Sequence, residues 1–291
     1  MHTVTQPLPV LSSPGGRLRI HRLPAASDNL VWLVECVASG QIAAVDGPDS
    51  EAVDAWCAEH GRTIDVVLTT HTHGDHVGLH RAWDRAGRLQ GKRVLGAEAR
   101  RAEIPGLSEA VDEGDTFVLG EVEGRVLRTE GHIDDHLSYL IDGALFCGDT
   151  LFTGGCGYLF DGPPETMFRS LMRLAALPPD TLVCCAHEYT VDNLRFAWSV
   201  EPDNEALADR IRTVWPLRAE GGCAVPSTLG EERATNPFLR PGSPTIRRAV
   251  GCDAQASHAE VFTATRSHKD GKAYRALTDD DLPLTASGAE G

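Results

Sequence analysis

The 291-residue chain is 42% hydrophobic and 24% charged, the balance of an ordinary globular protein. Its formal net charge of −15 argues against nucleic acid as a partner, because phosphate backbones are met by basic surface. No run of roughly 20 apolar residues is present to span a bilayer. The segment Met1–Pro7 lacks the basic-then-apolar order of a secretory signal, so a cytoplasmic location with no membrane partner is expected.

Residues 1–16 read as a loose tail ending in Ser12-Ser13-Pro14-Gly15-Gly16. Apolar runs at 18–21, 29–36 and 41–46 read as hairpin-connected strands with turns at Ser27-Asp28 and Ser39-Gly40. Residues 49–59 have a helical pattern, with Ala52, Val53, Ala55, Trp56 and Ala58 apolar and Gly61 just past the end. A strand at 64–69 follows, and this strand-helix-strand order predicts a mixed sheet covered by helices. Further strands are expected at 93–96, 116–119, 123–128, 137–141, 144–147 and 181–185, with a helix over 164–177 stopped by Pro178-Pro179. Beyond about residue 190 the valine-rich strands cease, and 193–200, 204–215 and 228–234 read as helices. The expected organisation is therefore a tail (1–16), a catalytic domain (17–192) and a helical domain (193–291). The eight cysteines form no CxxC pair and read as free, mostly buried thiols, including the adjacent Cys184-Cys185 on an apolar strand.

The densest chemistry lies in His71-Thr72-His73-Gly74-Asp75-His76, directly after a predicted strand. His71 and His73 are two apart and project to one side of an extended segment, whereas the adjacent Asp75 and His76 diverge and can serve a second point. Imidazole and carboxylate donors of this kind suit zinc, iron or manganese. His132, Asp149 and His187 each follow another strand-like run, the position where open-sheet proteins collect their sites. Together these are seven ligand-type residues, enough for two metals sharing one bridging carboxylate. His136, four residues beyond His132, reads as a supporting residue, and His80 as lying on the flank of a following helix.

In this order, the motifs resemble those of the metallo-β-lactamase superfamily. Gly148-Asp149-Thr150-Leu151-Phe152-Thr153-Gly154-Gly155-Cys156-Gly157, His187-Glu188-Tyr189-Thr190 and Thr235-Asn236-Pro237-Phe238-Leu239-Arg240 narrow the resemblance to glyoxalase II, the hydroxyacylglutathione hydrolases. The resemblance spans about residues 17–275. It implies an α/β (α+β) fold, an αββα sandwich followed by a small helical domain. It further implies that His71, His73 and His132 bind one metal, that Asp75, His76 and His187 bind a second, and that Asp149 bridges them. Asp75 would also orient the attacking hydroxide. The implied cofactors are two divalent ions, zinc foremost, with iron or manganese also suiting the donors. The implied substrate is a glutathione thioester, S-D-lactoylglutathione, cleaved by a monomer to glutathione and a 2-hydroxy acid as the second step of methylglyoxal detoxification. Tyr189 and the basic pair in Arg266-Ser267-His268-Lys269 would hold the glutathione.

One departure stands out. The family usually carries Lys or Arg after Gly-Cys-Gly and often Tyr two positions later, where this chain has Tyr158 and Phe160. A charge-assisted contact is worth roughly 1.5–3 kcal/mol. Tyr158 keeps one neutral hydrogen bond as a substrate contact, so weaker glutathione binding or a shifted thiol carrier is expected. The alternative within the superfamily is a glutathione persulfide dioxygenase, which uses one iron and three protein ligands and lacks the helical tail. A β-lactamase or lactonase would have no need of the C-terminal basic pair. A non-catalytic binding module would be signalled by loss of His71, Asp75 or Asp149, and all three are present.

Overall fold

The computed structural model describes residues 3–285. Its first sheet contains β1 (Leu11–Ser12), β2 (Leu18–Ala25), β3 (Asn29–Cys36), β4 (Ile42–Val45), β5 (Val66–Leu68), β6 (Arg93–Ala97) and β7 (Glu109–Val111), in that spatial order. The first four pair antiparallel, and β4 through β7 pair parallel. The parallel steps need crossovers; α1 (Glu51–His60) supplies the one from β4 to β5 and α2 (Gly78–Arg85) the one from β5 to β6, while a loop with a short 3-10 turn at Glu98–Arg100 joins β6 to β7. Gly61 takes the left-handed conformation that closes α1, as expected of a glycine just past a helix end.

The alternation of β3 sets the layers. All eight of its residues are buried, so both faces of the strand are covered. Leu30, Trp32, Val34 and Cys36 face the core between the two sheets. Val31 and Leu33 face the other way, against Val53, Trp56, Leu79 and Trp83 of the two helices.

The second sheet begins with β8 (Thr116–Leu119), β9 (Val122–Arg128), β10 (Leu137–Ile141) and β11 (Ala144–Gly148), all antiparallel. A short hairpin follows, β12 (Leu151–Phe152) with β13 (Gly155–Cys156), then α3 (Pro164–Ala175), which buries Met167, Leu171 and Leu174. The strand β14 (Leu182–Cys185) returns parallel to β11. Five helices then dominate: α4 (Thr190–Val200), α5 (Glu205–Ala219), α6 (Leu229–Thr235), α7 (Pro244–Ala249) and α8 (His258–Asp270). The result is the expected αββα sandwich with a mainly helical C-terminal part.

Three expectations need correction. Leu11 and Ser12, assigned to a loose tail, form β1 against Ile20 and Arg19, anchored by Ser13 Oγ on Asp142. The helix read over 228–234 starts one residue later, because Thr228 belongs to β15 (Ser227–Thr228), which pairs with β14 and extends the second sheet within the mainly helical C-terminal part. Helices α7 and α8 carry no simple apolar stripe and were not expected. In α8 a capping box of Ser257 and Glu260 starts the helix, and its buried face mixes Val261, Phe262 and Thr265 with Arg266 and Lys269. The ends of the expected tail and helical domain, residues 1–2 and 286–291, lie outside the described residues. No described helix is long and apolar enough to cross a membrane, and the eight cysteines form no disulfide.

Cross-sheet hydrogen bonds pin the two sheets together at one end. Trp32 Nε1 donates to the Cys185 carbonyl (3.0 Å), Leu30 N to Ala186 (2.7 Å), and Tyr139 Oη to the Thr69 carbonyl (2.8 Å). The loops leaving β4, β5, β11 and β14 converge at that end.

Candidate metal centre

The histidine loop leaves the C-terminal end of β5, and the segment between β9 and β10 brings His132 beside it. His71 Nε2 lies 3.2 Å from His73 Nδ1, which lies 3.0 Å from His132 Nε2. Around a tetrahedral zinc with Zn–N of about 2.0–2.1 Å, adjacent nitrogens fall roughly 3.3 Å apart. Asp75, His76 and His187 form a second group, with Asp75 Oδ2 3.5 Å from His76 Nε2 and 3.4 Å from His187 Nε2. Asp149 stands between the groups. Its Oδ2 is 3.5 Å from His132 Nε2, while its Oδ1 is 3.6 Å from His76 Nε2 and 3.4 Å from His187 Nε2. The seven residues singled out in the sequence thus come together, His71, His73 and His132 on one side, Asp75, His76 and His187 on the other, and Asp149 between them.

The second nitrogen of four of these rings is held by an oxygen. His132 Nδ1 donates to the Tyr158 carbonyl (2.7 Å), His76 Nδ1 to Asp46 Oδ2 (2.9 Å) and His187 Nδ1 to Asp28 Oδ1 (2.8 Å). His71 Nδ1 lies 3.1 Å from Thr70 Oγ1, whose own proton goes to Asp46 Oδ2. Each pairing puts the proton on Nδ1 and leaves the Nε2 lone pair aimed inward. Buried His76 Nε2 and Asp149 Oδ1 have no hydrogen-bond partner among the described residues. Converging lone pairs and orphaned acceptors are the chemistry of a cation site, and this His/Asp cluster is compatible with a dinuclear metal centre.

The electrostatics separate the two groups, since the carboxylates around His76 and His187 draw positive charge there, as a proton or as a cation. Burial, reinforced by the neighbouring imidazoles, pushes His71 well below its ordinary value, and burial lowers His132. Burial also opposes a charge on His187, but Asp149, Asp28 and Asp75 outweigh it and hold the ring at about 10. His76 is raised in the same way, with Asp149 and Asp46 overcoming burial. Asp75 is held well below its usual range by His187 and His76 against the cost of burial. In the first group His71 and His132 are thus held as neutral donors, whereas the second group is an environment that favours positive charge.

Sequence reasoning missed several of the supporting residues. Asp46, just past β4, accepts from Thr70 N (2.8 Å), Thr70 Oγ1 (2.6 Å) and His76. These bonds occupy its oxygens, so Asp46, His71 and His76 are better read as one support network than as a third cation group. Asn29 Nδ2 donates to Asp75 Oδ2 (3.1 Å), and Asp28 sits on the turn before β3. Their only sequence signal was position at a strand end. His136 is a supporting residue, as read. It is buried between Thr129 Oγ1 and Thr150 Oγ1 and accepts the Asp149 N–H (3.3 Å). His80 lies on α2, its Nε2 2.8 Å from Thr69 Oγ1. Gly148, at φ +47°, allows the close approach that seats Asp149, since a Cβ there would lie 2.4 Å from Thr70 Oγ1.

Two rings that pack on His187, Tyr189 and Phe152, help to line a cavity of about 520 Å³ whose lining includes all four expected substrate residues, Tyr158, Tyr189, Arg266 and Lys269. Tyr189 stacks on the His187 ring (4.8 Å between centroids, 5° between planes). Tyr158 is 54% exposed, and its ring meets that of the equally open Phe160 edge-on at 4.9 Å. Arg266 and Lys269 are buried, presented by the inward face of α8.

Residues 47–187 match the model of the metallo-beta-lactamase superfamily, and residues 188–271 match that of the hydroxyacylglutathione hydrolase C-terminus. The chain is 48% identical over 259 residues to a hydroxyacylglutathione hydrolase of Methylococcus capsulatus, covering 87% of this chain and 98% of that one. A hydroxyacylglutathione hydrolase of Pseudomonas putida is 44% identical over 261 residues, covering 87% and 99%. Among solved structures, ETHE1 from Myxococcus xanthus shares the fold with a TM-score of 0.57, 24% identity and coverage of 92% of this chain and 95% of that one. TTHA1623, solved in a di-iron-bound form, matches with a TM-score of 0.51 and 26% identity over 76% of this chain and 99% of that one. With a metallo-β-lactamase-like core and the matching C-terminal segment in one chain, the protein belongs to the hydroxyacylglutathione hydrolase family of the metallo-β-lactamase superfamily.

Proposed function

We propose that this protein hydrolyses S-(2-hydroxyacyl)glutathione, with the D-lactoyl thioester as its typical substrate, to glutathione and a 2-hydroxy acid. The observation that carries this reading is a cavity that the divided His/Asp cluster meets through Tyr189 and Phe152, whose rings pack on His187, and that is lined by cations in a chain of net charge −15. Residues 17–192 would carry the chemistry, and the segment from 193 would join Tyr158 and Tyr189 in recognising the carrier, in a cytoplasmic monomer.

His71, His73 and His132 would hold one divalent ion, Asp75, His76 and His187 the other, and Asp149 would touch both. Zinc is the first candidate, with iron and manganese also suited to the donors. When bound, such a pair supplies Lewis acidity and a hydroxide source near neutral pH. The side chains do the rest. Asp28, Asp46, Thr70 and the Tyr158 carbonyl fix the imidazole tautomers, and Asn29 fixes Asp75. Asp75, 42% exposed at its side chain, can accept a hydrogen bond from the attacking water and orient it toward the thioester carbonyl. The leaving thiolate needs no strong acid, because a thiol's pKa is about 8.5. Cys147 and Cys156 are buried and serve packing rather than nucleophilic attack.

Metal analysis combined with a panel of thioesters varied in acyl group and thiol tests the proposal. About two ions per chain and turnover of S-D-lactoylglutathione that chelation abolishes and metal restores are expected. A two-metal protein without thioester turnover would overturn the reading. Oxygen uptake with glutathione persulfide would favour the dioxygenase instead.

Two outcomes follow for the carrier site. Tyr158→Arg is expected to lower KM for the glutathione thioester about tenfold by adding a charge-assisted contact. An unchanged KM would show that position 158 does not meet the carrier. Burial, with Arg266 adding repulsion, pushes the Lys269 ammonium down to about 7. The group is therefore charged below that pH and neutral above it. KM should rise as pH climbs through 7, by up to about tenfold per pH unit, and Lys269→Arg should flatten the profile, because guanidinium stays charged. A flat wild-type KM profile between pH 6 and 9 would remove Lys269 from carrier binding.

A further inference from the structure

The same cavity holds a cation that the reading above leaves without a role. Its lining sets Arg266, Lys269, Lys272 and Arg275 against two carboxylates, Asp192 and Asp270. Three of the four cations are engaged within the protein. Arg266 bonds Asp270 Oδ1 (2.6 Å) and the Cys156 carbonyl (3.2 Å). Lys269 Nζ donates to Asn193 Oδ1 and lies 5.5 Å from the centroid of Phe196. Arg275 Nε is 3.3 Å from Asp192 Oδ1. Lys272 is exposed, and its ammonium forms no ion pair or hydrogen bond among the described residues.

Its backbone is also unusual. Lys272 sits at φ 58°, ψ 13°, the left-handed conformation that glycine adopts freely and side-chain-bearing residues resist. Gly271, immediately before it, takes an ordinary helical φ of −67°. The turn that ends α8 thus places a lysine where glycine would be easier, and that lysine lines the cavity. Tyr158 in the same lining offers only a neutral hydroxyl.

We propose that Lys272 meets a carboxylate of the thiol carrier and is a specificity-determining residue for glutathione over carriers that lack carboxylates. This rests on the reading of the cavity as the carrier site. An available ammonium can make a full charge-assisted bond to the ligand without first giving up an internal partner. Arg266, Lys269 and Arg275 would each have to share or exchange one.

Steady-state kinetics on K272A, K272G and K272R test it, using S-D-lactoylglutathione and the lactoyl thioester of N-acetylcysteamine, whose thiol carries no carboxylate. Glycine suits the left-handed backbone, so K272G keeps the fold, which Tm verifies. K272A and K272G should raise KM for the glutathione thioester about tenfold with kcat unchanged, K272R should restore it, and the N-acetylcysteamine thioester should be indifferent to all three. A KM within about twofold of wild type, or an equal rise with both thioesters, would overturn the proposal. If the wild type shows the same kcat/KM for both thioesters, the carrier reading of the cavity itself fails and takes this assignment with it.

Discussion

Replacing Asp149 with asparagine is expected to lower kcat about a thousandfold or more and to leave about one metal ion per chain, since several kcal/mol of transition-state stabilisation would be lost. Each oxygen of this carboxylate faces a different group, Oδ2 toward His132 and Oδ1 toward His76 and His187. Asparagine keeps the shape but turns one of those oxygens into a donor that cannot face a cation. It also removes the one negative charge positioned between two would-be dications. The local fold should survive, because the Asp149 backbone is held through its N–H to His136 and by the turn at Gly148. Metal content by elemental analysis, paired with kcat at saturating thioester, checks both halves. Two retained ions and a kcat within tenfold of wild type would show that Asp149 does not bridge.

Asp46→Ala should produce the largest loss of stability of any change at the centre, about 3–5 kcal/mol, with second-ion affinity reduced about 10–100-fold. Asp46 is 3% exposed and is the acceptor for the Thr70 N–H, the Thr70 hydroxyl and His76 Nδ1. Alanine leaves three buried donors without an acceptor, each costing about 1–3 kcal/mol. It must also occupy the left-handed backbone at φ 55°, which Asp and Asn tolerate better than alanine does. Asp46→Asn should therefore be milder, and the difference between the two variants separates the backbone and hydrogen-bond losses from the loss of charge. Denaturant unfolding of chelator-treated protein reads the stability term free of metal binding. A loss below about 1 kcal/mol for the alanine variant would mean that Asp46 is not what holds Thr70 and His76 in place.

The two variants also mark where the amino-acid sequence was legible. Asp149 announced itself because it closes an apolar run in a Gly-Asp-Thr motif and belongs to a set of ligand-type residues, all at strand ends. Asp46 stands in the same kind of position after β4, but no other residue of the centre stands near it in the chain. It reaches Thr70 only because β4 pairs parallel with β5 in the register Val45↔Leu68. Asp28 and Asn29 reach the site by the same kind of long-range contact, through the bridge from Asn29 to His187. In α8 the charged Arg266 and Lys269 interrupt the apolar face, so periodicity could not reveal the helix, and a two-residue strand such as β1 or β15 has no period to read.

The sequence by itself determined the donor chemistry of the centre, its order along the chain and the divergence of His71 and His73 from Asp75 and His76. Ligand types are properties of single side chains, and the side to which His71 and His73 project follows from local backbone geometry. The layered fold was also legible, since strands such as β3 carry their burial in their own composition. Only the tertiary structure decided which oxygen holds each of four imidazoles, that Asp149 offers one oxygen to each group, and that one cavity cation, Lys272, is left without a partner among the described residues. Those facts depend on strand register and helix packing between residues far apart in the chain, which no local pattern encodes.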